Sequence, residues 1–234
     1  MKILAIGTWA SGLKPGKRNT TYLIDSDTLL DCGPHTAEYL IDKHVDISGI
    51  NRILVTHMHL DHAGGIPELV WQRGLHSIDT HINIVGPDEI YRGVTGILGF
   101  FHTPDFMMKG VTFNNMENNL KIMPGIHSLD EYMYRLDLSG KSIFYSGDTS
   151  YTDAAVEIGR NCDLFIHEAT YQDTMENEAI KYGHSTVSDA LKAFKGSESR
   201  IFMPTHMSIE SFRQISAIKD KNIIVPEDGK EYYI

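Results

Sequence analysis

Three histidines and one aspartate lie within six positions of this chain, at His57, His59, Asp61 and His62. Imidazole and carboxylate groups are the ligands that zinc-type ions prefer in proteins. The apolar run 52–55 precedes the cluster, which predicts a buried strand that ends in a ligand-bearing loop. Because alternate side chains of a strand share a face, His57 and His59 can bind one ion, whereas Asp61 and His62 can turn toward a second.

Two ions need more ligands than one loop supplies, and three further candidates lie in loops that follow apolar runs. These are His127, Asp148 and His206. Each residue alone is equally well explained as a turn aspartate or a surface histidine. Gly147 precedes Asp148 and allows a backbone turn that brings the carboxylate inward. The repeated order of strand and then ligand favours a complete two-metal set.

The elements that must position these residues alternate along the chain. Strands are predicted at 2–7, 21–25, 28–31, 52–56, 81–85, 132–138, 141–146, 163–167, 200–203 and 222–225. Helices are predicted at 35–44, 66–74, 87–98, 151–160, 186–195 and 209–219. A hairpin turn is predicted at Leu138-Ser139-Gly140-Lys141. Strands interleaved with helices predict an α/β protein whose sheets are covered by helices.

Composition narrows the class of protein. The 234 residues fit one large domain, 1–234, and no run approaches the ~18–20 apolar residues of a membrane span. The net charge of −10 argues against a protein that coats nucleic acid, because such binding depends on Lys and Arg. Cys32 and Cys162 are far apart in sequence, which predicts free thiols and a cytoplasmic location.

The 57–62 cluster resembles the HxHxDH signature of the metallo-β-lactamase superfamily. The resemblance implies an αββα four-layer sandwich with two divalent ions at one edge. It implies one ion on His57, His59 and His127, the other on Asp61, His62 and His206, and Asp148 as the bridge. Asp31 fits the early aspartate of that family, which orients ligands, although a plain turn residue is an equal alternative. Zinc is the favoured ion, with manganese or iron as alternatives, because N and O ligands alone do not separate them.

Two more motifs are similar to those of the ribonuclease Z branch. They are His167-Glu168-Ala169-Thr170, or HEAT, and His184-Ser185-Thr186, or HST. The loop Pro15-Gly16-Lys17-Arg18-Asn19 resembles that branch's PxKxRN loop. The resemblance places His184 beside the metals, positioned by Glu168, and implies a homodimer. The aromatic segment 97–108 would suit the dimer interface or stack on a base, and core packing is the alternative.

Phosphodiester hydrolysis needs a water nucleophile, neutralised charge and a protonated leaving oxygen. Asp61 could orient the water, and a histidine held by a carboxylate suits proton donation, which fits His184 and Glu168. The alternative is that Ser185 or Thr186 caps a helix and His184 is incidental. Lys17, Arg18 and Asn19 could contact the phosphate, although a solvated loop is nearly as good an interpretation.

One departure from the family is large. His127 and Asp148 are only 21 positions apart, where ribonuclease Z enzymes that process tRNA usually carry a long inserted arm. Leu60 also stands where that branch has a small residue. The sequence therefore predicts a phosphodiesterase of small or cyclic nucleotides, with tRNA 3′-processing as the alternative. A thioesterase or lactamase on the same scaffold and a non-catalytic scaffold are weaker alternatives.

Overall fold

Two β-sheets lie at the centre of the computed structural model, which describes residues 1–138 and 140–234. In these ranges the first sheet has seven strands in the order β12-β1-β2-β3-β4-β5-β6. Its strands are β1 (Lys2–Gly7), β2 (Thr21–Ile24), β3 (Thr28–Leu30), β4 (Arg52–Leu54), β5 (Ile82–Val85), β6 (Val111–Phe113) and β12 (Lys230–Tyr233). Strands β3 to β6 run parallel, whereas β12, β1, β2 and β3 pair antiparallel.

The second sheet has five strands among the described residues, in the order β11-β10-β9-β8-β7. They are β7 (Leu120–Pro124), β8 (Tyr132–Leu138), β9 (Lys141–Tyr145), β10 (Leu164–Glu168) and β11 (Ile201–Thr205). Strands β9, β10 and β11 are parallel, and β8 pairs antiparallel with β7 and β9. Leu138 pairs with Lys141, as the predicted hairpin requires, and Ser139 of that predicted turn lies outside the described residues.

Helices cover the outer face of each sheet. The first sheet packs against α1 (Thr36–Asp42), α3 (Ile66–Leu75) and α4 (Ile90–Phe100), and the second against α5 (Asp153–Ile158), α7 (Val187–Ser197) and α8 (Ile209–Ser216). The short helices α2 (Leu60–Ala63) and α6 (Glu176–Tyr182) lie in loops near the strand ends. No helix in the described ranges has the length and apolar composition that crossing a bilayer requires.

Three apolar layers explain why this arrangement is stable. Residues such as Ile3 and Leu54 of the first sheet meet Ile143 and Leu164 of the second in a layer between the sheets. Each sheet also has apolar side chains on its outer face, in contact with its helices. A strand buried on both faces needs near-continuous apolar sequence, which β4 and β10 supply. The predicted αββα sandwich is confirmed.

Most predicted elements match the structure within a few residues, but the strand at 222–225 is wrong. That segment contacts β11 through a single bridge between Phe202 and Ile223. Pro226 follows it, and a proline has no N–H to extend a strand ladder. The edge of the first sheet is formed instead by β12, which the sequence did not predict, as it also did not predict β6, β7, α2 and α6.

Candidate metal centre

The loops that follow five strands converge at one edge of the sandwich. Strands β9, β10 and β11 are parallel, so Asp148, Glu168 and His206 emerge at the same end of the second sheet. Strands β3 and β4 are parallel in the first sheet, so Asp31 and His57 emerge together as well. Functional residues collect at such strand ends because the rigid sheet holds the loops in place.

The first group of candidate ligands contains His57, His59, His127 and Asp148, whose donor atoms all lie within 4.8 Å of one another. Nδ1 of His59 lies 2.8 Å from Nε2 of His57 and 3.2 Å from Nε2 of His127. Nitrogen ligands of one tetrahedral zinc-type ion would be about 3.3 Å apart, given metal–nitrogen bonds of about 2.0–2.1 Å. The three imidazoles therefore have a spacing that fits one cation.

The second group contains Asp61, His62 and His206, again with donor atoms within 4.8 Å of one another. Oδ2 of Asp61 lies 3.3 Å from Nε2 of His206 and 3.7 Å from Nε2 of His62. Oδ2 of Asp148 lies 3.3 Å from each of these two imidazole nitrogens and 3.9 Å from Nε2 of His57. Asp148 thus lies between the two groups, in the position that the bridging assignment requires.

Unpartnered polar atoms also fit a bound cation. Nε2 of His62 and Oδ1 of Asp148 are buried and have no hydrogen-bond partner in the described part of the chain. Burying such atoms is unfavourable unless they bind something. Both atoms belong to the residues that face the centre of the cluster, so a cation there would satisfy them.

Asp31 orients two of the histidines. Its Oδ2 lies 2.7 Å from Nδ1 of His62, and its Oδ1 accepts hydrogen bonds from the backbone N–H and the hydroxyl of Thr56. Oγ1 of Thr56 in turn lies 3.1 Å from Nδ1 of His57. Asp31 has a left-handed backbone with φ 56°, which is rare outside glycine and typical of strained functional sites. The orienting role of Asp31 at a metal site stays a prediction.

Glu168, at the end of β10 in the second sheet, makes contacts similar to those of Asp31. Its Oε1 lies 2.9 Å from Nδ1 of His184, and its Oε2 accepts a hydrogen bond of 2.7 Å from the hydroxyl of Thr170. The same hydroxyl lies 2.8 Å from Nδ1 of His206. Backbone N–H groups of Thr149 and Thr170 also donate to this carboxylate. Glu168 therefore orients His184 directly and His206 through a threonine hydroxyl.

In four of the candidate histidines, Nδ1 contacts a polar group on the side of the ring away from the centre of the cluster. Nδ1 of His127 lies 2.9 Å from the carbonyl oxygen of Gly183, and Gly183 has a positive φ of 70° that allows this approach. With Nδ1 bonded away from the centre, the Nε2 atoms of His57, His62, His127 and His206 face it. Such outer hydrogen bonds fix the tautomer of metal-binding histidines.

The pKa shifts of the histidines go in two directions. Burial would lower the pKa of the candidate ligand His62, but the Asp148 and Asp31 carboxylates raise it well above its usual value. Burial lowers the pKa of His57, His59 and His127, which keeps these imidazoles neutral and able to bind a cation. Burial would lower the pKa of His184 too, but the adjacent Glu168 carboxylate outweighs it and raises that pKa to about 9. His184 is therefore a protonated group at neutral pH, 3.9 Å from Oδ2 of Asp148.

Helix capping and the position of His184 are compatible. Thr186 caps α7, and its side chain and that of Asp189 form a reciprocal capping box. Ser185 donates a hydrogen bond of 2.7 Å to the carbonyl oxygen of Thr149. These two bonds fix the chain just after His184, so the cap helps to place the histidine beside the cluster.

The basic loop makes mostly internal contacts. Nζ of Lys17 lies 4.5 Å from the centre of the Trp9 ring, and the guanidinium of Arg18 lies 4.5 Å from the centre of the Tyr39 ring. Asn19 is buried, and its amide donates to a backbone carbonyl. The contact of this loop with a phosphate remains a prediction.

The same loop lines an open cleft of about 1100 Å³, together with the acidic residues Glu38, Asp42 and Glu68. Pro34 also lines this cleft, and the backbone of the preceding Gly33 packs against the carbonyl of Asp61. Among the described residues, none of the candidate metal ligands lines this cleft.

The aromatic segment is exposed rather than packed in the core. Helix α4 buries Ile90, Val94 and Leu98, whereas Phe100 and Phe106 are 81% and 62% exposed. The alternative of core packing is therefore wrong for these two side chains. A contact of these side chains with a ligand or a second subunit stays a prediction.

Sequence reasoning missed three residues around the centre. Thr56 and Thr170 carry the hydroxyls described above, and both stand in recognised motifs without an assigned role. Glu131 is fully buried, and its Oε2 lies 2.8 Å from Nδ1 of His57. The only sequence signal for Glu131 is an acidic residue placed directly before the predicted strand 132–138.

Comparison with known proteins places this centre in a family. A family model described as the beta-lactamase superfamily domain matches residues 27–207. Ribonuclease Z of Prochlorococcus marinus is 26% identical over an alignment of 277 positions, gaps included. The alignment covers 89% of this chain and 88% of that protein. Ribonuclease Z 2, mitochondrial, of Schizosaccharomyces pombe is 27% identical over 79% of this chain, which spans only 30% of that protein.

A solved structure agrees with the fold. The crystal structure of the short form of human tRNase Z superimposes with a TM-score of 0.84 at 22% sequence identity. The match covers 100% of this chain and 99% of that one.

Proposed function

The chain belongs to the beta-lactamase superfamily, and from this premise we propose that it is a metal-dependent phosphodiesterase, similar to ribonuclease Z. The observation that carries this proposal is the Glu168–His184 pair placed beside two groups of cation ligands. A hydrolase of esters with good leaving groups has no need of a protonated histidine here. Hydrolysis of a phosphodiester with an alkoxide leaving group requires a proton donor, because the leaving oxygen must be protonated.

The ligands proposed for two divalent ions are those that the two groups contain: His57, His59 and His127 for one, Asp61, His62 and His206 for the other, and Asp148 for both. Two such ions supply charge neutralisation and a water that is nucleophilic at neutral pH. We propose zinc as the ion, because four-coordinate sites of imidazole and carboxylate suit it. Metal analysis of the purified protein tests this choice against manganese and iron.

The chain's own residues have three tasks in this proposal. Asp61 accepts a hydrogen bond from the attacking water and aims it at phosphorus. His184 donates its Nε2 proton to the leaving oxygen as the ester bond breaks. Glu168 holds the Nδ1 side of that ring and stabilises its protonated form.

The substrate proposed first is a small or cyclic nucleotide phosphodiester. Only 21 positions separate His127 from Asp148, and β8 and β9 occupy most of that interval. The alignment with the Prochlorococcus relative spans 277 positions, more than this chain contains, so that relative has inserted residues that are lacking here. Lys17, Arg18 and Asn19 are proposed to contact the phosphate or the nucleotide at the cleft that they line.

The second candidate is a tRNA 3′-endoribonuclease. The names of the relatives support it more strongly than they support a small substrate, since both matched proteins are called ribonuclease Z. The short interval argues against it, because an arm that grips tRNA would have to come from elsewhere in the chain.

A substrate panel separates the two candidates. Protein loaded with zinc is given an aryl phosphodiester, cyclic nucleotides, short oligonucleotides and a 3′-extended precursor tRNA, with Asp148→Asn as the inactive control. Turnover of the small esters at rates above that of tRNA supports the first candidate. Single-site cleavage of the precursor at the higher rate establishes the second, and thioester turnover above both would contradict the phosphodiesterase proposal.

Two further properties are proposed here. The exposed Phe100, Phe101 and Phe106 are proposed to form a homodimer contact, which sedimentation of wild type and Phe100→Ser would test. Cys32 and Cys162 are both free and buried, which supports a cytoplasmic location.

A further inference from the structure

Glu131 is a buried carboxylate that no recognised motif explains. It is 2% exposed, and no donor in the part of the chain that the structure describes has both the distance and the angle of a hydrogen bond to either of its oxygens. An ionised carboxylate in such a place is strongly unfavourable unless a donor or a positive charge is close. Its surroundings should therefore show what this carboxylate is for.

The nearest polar group is the imidazole of His57. Oε2 of Glu131 lies 2.8 Å from Nδ1 of His57. The other ring nitrogen, Nε2, lies 2.8 Å from Nδ1 of His59, inside the first ligand group. Glu131 thus lies at the Nδ1 edge of the imidazole, and the opposite Nε2 edge faces the proposed cation.

The fold makes room for this side chain with two glycines. A Cβ atom on Gly125 would lie 2.6 Å from Cγ of Glu131, and one on Gly147 would collide with Oε1. Gly147 also has a left-handed backbone with φ 57°. The segment is tied to the ligand loop, because the N–H of Tyr132 donates to the carbonyl of Thr56. Glu131 is therefore held in a fitted slot directly behind His57.

The other ligands of the cluster already have outer partners. Nδ1 of His62 faces Asp31, Nδ1 of His127 faces a carbonyl, and Nδ1 of His206 faces Thr170. His57 has only the hydroxyl of Thr56, which itself donates to Asp31. With Glu131 as a second acceptor at Nδ1, His57 would have an acceptor of its own, as His62, His127 and His206 do.

We propose that Glu131 is a positioning residue for the first metal. Nδ1 of His57 and Oε2 of Glu131 are already 2.8 Å apart, so a small turn of the ring in the metal-bound protein lets the carboxylate accept the Nδ1–H while the Nε2 lone pair stays directed at the cation. The inference rests on the proposed two-metal site. Loss of such an outer partner typically weakens metal affinity by about 10–100-fold.

The experiment titrates metal-free protein with Zn²⁺ alone and measures the affinity of each of the two ions. Glu131→Ala should bind one ion about 10–100-fold more weakly and the other as in wild type. Glu131→Gln should retain most of the affinity, because the amide oxygen still accepts a hydrogen bond. Asp130→Asn is the matched control, since it removes a neighbouring exposed carboxylate, and it should bind as wild type does.

Two results would overturn the proposal. One is wild-type affinity for both ions in Glu131→Ala. The other is an equal loss in Glu131→Gln and Glu131→Ala, which would exclude a role as hydrogen-bond acceptor. Should Glu131→Ala fail to fold, the ¹H shift of the His57 Nδ1 proton in zinc-loaded wild type and Glu131→Gln decides the matter, because a carboxylate acceptor should move that proton downfield relative to an amide acceptor and equal shifts in the two proteins contradict the proposal. Binding is measured without substrate, so inactivity in the substrate panel leaves this test intact.

Discussion

Oε1 of Glu168 lies 2.9 Å from Nδ1 of His184, and the carboxylate is completely buried. Burial strengthens the attraction between the two groups, because little water screens it. The pair therefore stabilises a protonated imidazole within reach of the candidate metal ligands. Asp31 and His62 form a similar buried pair at 2.7 Å in the other sheet, but that imidazole faces the centre as a candidate ligand.

Replacing His184 by alanine should reduce kcat for a cyclic nucleotide, whose alkoxide leaving group needs a proton, by about 10²–10⁴-fold, the usual contribution of a general acid. Zinc binding should change little, because His184 is not assigned as a ligand. Steady-state kinetics and zinc titration measure the two effects. His81→Ala, which removes an exposed histidine just before β5 and away from the cleft, is the control, and an unchanged rate in His184→Ala would remove the proton-donor assignment.

The rate should fall as the pH rises through about 9, because the Glu168 carboxylate raises the pKa of His184 to that value and the proton donor is lost above it. Removing the negative charge in Glu168→Gln should lower the pKa of His184. The alkaline limb of the kcat profile should then move to lower pH. Profiles of kcat against pH for the zinc-loaded wild type and Glu168→Gln check this. Coincident alkaline limbs would show that Glu168 does not raise the pKa of His184.

Thr170→Val removes the hydroxyl between Glu168 and His206 while keeping the shape of the side chain. We expect the affinity for one zinc ion to fall by about 10–100-fold, since His206 loses its outer hydrogen-bond partner. Thr170→Ser keeps the hydroxyl and should bind nearly as wild type does. Calorimetric titration measures this, and equal behaviour of the two variants would show that the hydroxyl has no such role.

Removal of metal should lower the melting temperature. The carboxylates of Asp61 and Glu131 each interact unfavourably with that of Asp148 when no cation is bound. A ligand at 1,000 times its Kd stabilises a folded protein by about 4 kcal/mol, so the shift should be several degrees. Calorimetry with chelator and after zinc is restored measures it. Asp148→Asn should show a much smaller chelator effect, and a wild-type protein that melts equally with and without chelator would argue against tight metal binding.

Sequence alone predicted much of the centre, because its key residues stand in short motifs. The HxHxDH spacing identified four candidate ligands, and Asp148 and His206 each follow a strand that its apolar residues reveal, whereas His127 follows β7, which was not predicted. The layered α/β fold could also be predicted, because strand-like and helix-like apolar patterns alternate along the sequence. By contrast, β6 is short and only partly buried, and β12 is mostly exposed, so neither has an apolar pattern to detect.

Tertiary structure decided the relationships between distant residues. The sequence proposed Asp148 as a bridge by resemblance only, and packing of the two sheets places its carboxylate 3.3 Å from both His62 and His206. The sequence shows only that Glu131 precedes a predicted strand, and its position behind His57 depends on a slot between Gly125 and Gly147. Periodicity along a chain records which face of an element is buried, whereas contacts between elements depend on how the two sheets stack, and this stacking gives the centre its geometry.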